Sequence, residues 1–149
     1  MILNLFKKDN KLNLEEKNID LIKMISLLIH AAKIDENYTE KEKRLIKNFV
    51  LIFLKENQQN ISEDEITNLV NKAEKAENDS VQILEFTKEV KKVDLKLKKL
   101  MIKTLWEIVL SDNKSGIYES NLMRRICGLL YFSDKLSGEI KSSILERNK

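Results

Sequence analysis

Two acidic pairs have the residue types and spacing for metal chemistry: Asp35 with Glu42, and Asp112 with Glu119. In each pair the glutamate follows the aspartate by seven residues. A hard cation such as Ca²⁺ or Mg²⁺ takes several oxygens, drawn from carboxylates, amide side chains and backbone carbonyls. Each pair supplies two carboxylates, and Asn37, Asn113 and Ser115 add neutral oxygens between them. The spacing is not that of an EF-hand. Counted from Asp112, position 6 is Ile117 where glycine is required, and position 12 is Met123 where glutamate is required. Helix capping is the competing use of the same carboxylates, and it needs no ligand. Glu42 stands three residues after Thr39, the spacing of a capping box, where it also favours the positive end of the helix dipole. Glu119 stands three residues after Gly116, which has no side chain to complete a box. Asp35 and Asp112 fall near helix C-termini, where the dipole disfavours a carboxylate by ~0.3–1 kcal/mol. Either loop N–H groups or a bound cation would offset that cost.

Other reactive side chains read as structural. His30 is the single histidine. It lies beside the apolar face of its helix with no acid, nucleophile or metal partner near it in sequence, so a packed or half-exposed role is expected. Cys127, the single cysteine, sits among Ile126, Leu129 and Leu130 and should behave as a small buried apolar residue. With one cysteine no intrachain disulfide forms. Trp106 is expected to anchor the core. Lys88, Lys91, Lys92, Lys96, Lys98, Lys99 and Lys103 form a basic stretch without interleaved aromatics, diluted by Glu89 and Asp94. A solvated helix face accounts for it, and an anionic surface is the other use of such a stripe. Gly-rich phosphate loops, Cys/His zinc spacings and nucleophilic triads are absent.

The elements that must position these residues are helical. The chain of 149 residues contains no proline and three glycines, which argues against a turn-rich β domain. Apolar residues recur at helical spacing in seven segments: about 14–34, 39–56, 62–78, 79–90, 94–110, 117–131 and 133–147. Start signals precede most of them: Asn13 with Glu16, Thr39 with Glu42, Ser62 with Glu65, Asp79 with Gln82, and Asp94. The prediction is an all-α chain, one compact bundle of about seven helices spanning 1–149 with its core at about 14–147. The net charge of +3 (27 basic against 24 acidic residues) demands no nucleic-acid partner. The apolar stretch Ile2–Phe6 is too short for a secretory signal, and no run approaches the ~20 residues that span a bilayer. A cytoplasmic protein is the expectation.

An internal echo supports two related helix–loop–helix units. At an offset of 77 residues, Met24, Ile25, Leu28, Asp35, Glu42 and Leu45 recur as Met101, Ile102, Leu105, Asp112, Glu119 and Leu122. The same residues carry a family resemblance. Leu105-Trp106-Glu107-Ile108-Val109-Leu110-Ser111-Asp112, then Tyr118-Glu119, Leu122-Met123-Arg124-Arg125-Ile126 and Leu129-Leu130, resembles the second motif of the TerB-like tellurite-resistance family. Ala31-Ala32-Lys33-Ile34-Asp35 with Glu42 resembles its first motif, and Glu85-Phe86-Thr87 its mid-chain segment. The resemblance covers about Leu14 to Leu136. Glu36 and Asn113 stand where the family has glycine. The resemblance implies an all-helical fold, a link to tellurite or stress responses, and divalent-cation binding at Asp35, Glu42, Asp112 and Glu119. On this reading the chain is a non-enzymatic accessory protein with protein partners. The alternative is a helical interaction module at a membrane-associated complex, touching the membrane peripherally, in which the acidic residues only cap helices.

Overall fold

The computed structural model describes residues 21–33, 38–56, 62–79, 87–88, 90–111 and 117–147, with the backbone alone at 79 and 117–119. Among these residues there are six helices and no strand: α1 (residues 21–32), α2 (Glu40–Glu56), α3 (Glu63–Asp79), α4 (Leu95–Leu110), α5 (Ile117–Leu129) and α6 (Asp134–Arg147). The all-α expectation holds, with six helices where about seven were predicted. The predicted 79–90 element falls mostly outside the described residues, although 87, 88 and 90 are helical. The predicted cap Asn13–Glu16 also lies outside them, as does the Asp79–Gln82 pair.

Local chemistry sets where the helices begin. The Leu97 N–H donates to Asp94 Oδ1 at 2.8 Å, capping α4. Ser62 Oγ accepts from the Glu65 N–H at 3.3 Å and opens α3. Ser133 Oγ accepts from the Leu136 N–H at 3.3 Å and opens α6. Each removes one of the donors that a helix start leaves without an intrahelical partner.

α4 is the hub. Its second half is buried nearly all round, through Met101, Ile102, Thr104, Leu105, Trp106, Ile108 and Val109. Such a helix must be covered on several sides, and α2, α5 and α6 all pack on it. α2 also packs on α3, and α5 on α6. α1 is still more apolar, with Leu21, Met24, Ile25, Leu27, Leu28 and Ile29 fully buried. Its one buried hydroxyl, Ser26, lies 2.8 Å from the Ile22 carbonyl and 3.2 Å from the Ala73 carbonyl, tying α1 to α3. No helix among the described residues is long and apolar enough to cross a membrane.

α5 stops two residues before the predicted Tyr131. The Phe132 N–H donates to the Cys127 carbonyl at 2.8 Å, and the Tyr131 N–H to the Gly128 carbonyl at 3.3 Å. This is a Schellman C-cap, which requires a left-handed residue at the position Tyr131 occupies. Tyr131 adopts φ 55° there, although a Cβ makes that conformation cost roughly 1–2 kcal/mol. The residue is 77% exposed, and its one ring contact among the described residues, Lys91 Nζ at 5.7 Å from the ring centre, offsets only part of the cost. Tyr131→Gly is therefore expected to stabilise the fold by about 0.5–1 kcal/mol, after the entropy glycine loses on folding. A urea midpoint that stays put or falls would contradict this account of the α5 terminus.

Candidate functional site

The first acidic pair is half visible. Glu42 is 1% exposed and sits in the first turn of α2. Its N–H donates to Thr39 Oγ1 at 3.2 Å, and its Oε1 accepts from the Thr39 hydroxyl at 3.0 Å and the Thr39 N–H at 3.4 Å. The capping box read from the sequence is thus formed in both directions. Asp35 and Asp112 lie outside the described residues, and so does the side chain of Glu119. Among the described residues no group of three or more His, Cys, Asp or Glu side chains could hold a metal ion. Glu42 Oε1 already serves two donors from Thr39, so its chemistry fits a cap.

A polar seam joins the end of α1 and the start of α2 to α3. Lys33 Nζ donates to Glu77 Oε2 and to Asn78 Oδ1, each at 2.8 Å. His30 Nδ1 lies 3.5 Å from Glu77 Oε1. The Tyr38 hydroxyl donates to Glu74 Oε1 at 3.2 Å. Burial, reinforced by the Glu74 carboxylate, holds that phenol well above its ordinary range, so it remains a donor. Lys43 Nζ stands 5.0 Å from the centre of the Tyr38 ring. Glu74 and Glu77 were not singled out by sequence reasoning. Their partners lie 36 and 44 residues away, and the available signal was weak: two acids three apart on a helix with little apolar content. His30 does have an acidic partner, and only the fold supplies it.

Trp106 anchors the core as expected. Its indole N–H donates to Ser137 Oγ at 2.9 Å, binding α4 to α6, and Lys141 Nζ covers the ring at 4.9 Å. Cys127 is buried, and that burial pushes its thiol upward against a smaller opposing pull from its hydrogen bond with Ser137. A thiol so placed is a poor nucleophile, because the thiolate is the reactive form.

One open feature of the described surface is a groove of about 330 Å³ between α2 and α4. Phe49, Leu45 and Leu100 line it, together with Thr104, whose hydroxyl donates to its own Leu100 carbonyl at 2.9 Å. Leu51 and Ile52 also line it while remaining 41% and 42% exposed. Lys96 pairs with Glu56 at 3.5 Å and sets the end of α2 beside the start of α4. The sequence did hold a signal here: Phe49 to Leu54 is an unbroken apolar run. A helix stripe facing one core cannot bury all of it.

Compared with known proteins, residues 21–142 match the family model described as tellurite resistance protein TerB. No curated protein and no solved structure matches the chain.

Thr39→Ala and Glu42→Ala should each cost about 1 kcal/mol, the usual worth of a cap. The double variant should cost less than the sum by roughly 0.5 kcal/mol or more, because the two residues share one box. Additive losses in urea titrations would mean that Glu42 is buried for some other reason. Cys127 should react with an aromatic disulfide reagent only as fast as the chain opens. Rapid stoichiometric labelling of the native protein would refute the buried, protonated thiol.

Proposed function

Because the chain belongs to the TerB tellurite-resistance family, we propose that it is a non-enzymatic accessory protein of the tellurite or stress response and works by docking a protein partner on its helical surface. The observation that carries this reading is the α2–α4 groove, with Leu51 and Ile52 left in solvent beside it. Contiguous exposed apolar surface rimmed by polar groups marks an interaction site. The polar side chains with the most evident chemistry are engaged in holding helices together. Glu42 caps α2, Glu77 ties α1 to α3, and Trp106 with Ser137 joins α4 to α6. That use of the polar residues supports a docking domain over a catalyst.

The reading predicts a separable loss of function. In its own host, a strain lacking this chain should lose tellurite tolerance, and the wild-type gene should restore it. Leu51→Glu with Ile52→Glu should fail to restore tolerance while helicity and thermal midpoint remain within a few degrees of wild type. Both positions are already in solvent, so the folded state loses little. Full rescue by the double variant would sink the groove as the working surface.

A further inference from the structure

We infer that the α2–α4 groove is built for an acidic amphipathic helix, one that presents an apolar stripe flanked by Asp and Glu. The inference rests on the docking reading above and names the chemistry of the partner. The charge around the groove sets that chemistry. Lys55 stands on the α2 wall and Lys103 on the α4 wall, both exposed. Neither has an ion-pair partner among the described residues. Glu107 and Arg147 line the groove too and answer each other at 3.9 Å, while Glu56 is paired with Lys96 at 3.5 Å, so Lys55 and Lys103 are the charge in excess. The groove therefore has an apolar floor and an uncompensated positive charge on each side.

An amphipathic helix laid between two helices inserts residues at i, i+3, i+4 and i+7 and turns its flanks toward the two walls. Acidic flanks would meet Lys55 on one side and Lys103 on the other. The volume, about 330 Å³, lies at the low end for binding clefts and suits a few aliphatic anchors. A second copy using the same face would set lysine against lysine, so self-association through the groove is disfavoured. The apolar segment at the start of this chain carries Lys7, Lys8 and Lys11, which gives it the wrong sign as an occupant.

The test uses the full chain as bait for a random 16-residue peptide library displayed on phage, followed by fluorescence anisotropy with a synthesised winner. Enriched sequences should show apolar residues at helical spacing with Asp and Glu between them. The winner should bind Lys55→Glu/Lys103→Glu at least about tenfold more weakly, and a version with Lys in place of its acids should regain affinity for that variant. Affinity for the wild type should fall as salt rises. The inference is overturned by enrichment of basic or patternless sequences, by no enrichment, or by binders that ignore the groove substitutions. A dimer in sedimentation that Ile52→Glu dissolves would overturn it in favour of a second copy. The two readings fail separately. If peptides fail while the Leu51/Ile52 variant still abolishes tolerance, docking stands and the partner's chemistry is wrong. If peptides bind as expected while that variant rescues fully, the groove chemistry is right and the functional reading is wrong.

Discussion

The second half of α4 is apolar nearly all round, and the rest of the domain is arranged to keep it from water. Each fully buried aliphatic or aromatic side chain contributes roughly 1.5–3 kcal/mol relative to exposure, so leaving any side of Met101 to Val109 open would be costly. Three helices, α2, α5 and α6, answer that demand directly. The single indole N–H in this region finds Ser137, and no buried side-chain polar atom among the described residues lacks a partner. The first half of α4 carries lysines at 96, 98 and 99 instead, and Lys103 is the exposed residue of the second. The helix thus changes character along its length, from a strut in solvent to a buried core element. The groove lies at that change, where Leu100 is half-covered and Lys103 faces water.

What could be read from the sequence was what is settled within one helical turn. The Thr39–Glu42 box and the Ser62 and Asp94 caps all follow from residues three apart, and each appears where its spacing puts it. The end of α5 was misplaced because its signal is a backbone conformation, and the residue bearing it is tyrosine where glycine or asparagine would have announced it. Glu77 was invisible for a different reason. Its worth depends on α1 and α3 lying side by side, which no short-range pattern encodes. Once they do, one carboxylate meets both Lys33 and His30. The seam is polar because both helices reach the edge of the core there, so charge can be paired without full desolvation.

The two halves of the internal echo also differ in what their equivalent positions can do. Glu42 has Thr39 three residues before it, so it can close a box in both directions. Glu119 has Gly116, which can offer backbone groups only. A motif shared by two units therefore carries two local chemistries. For the first unit the carboxylate is a fastening of α2, and a cation there would compete with two donors from Thr39 for the same oxygen.

α2 itself serves two surfaces at once. One face puts Ile46, Phe49, Val50 and Phe53 into the core, and the adjoining face sends Leu51 and Ile52 to solvent. Turning the helix would exchange five buried apolar side chains, Ile46, Phe49, Val50, Phe53 and Leu54, for two, so burial itself fixes its rotation. The Thr39–Glu42 box fastens the start of α2, while the exposed Lys96–Glu56 pair adds little at its other end. The core then receives the aromatic face, with Phe49 and Phe53, and the aliphatic pair is left beside the groove. Apolar burial thereby decides which side chains of α2 are spent on stability, and Leu51 and Ile52 are what it leaves at the groove.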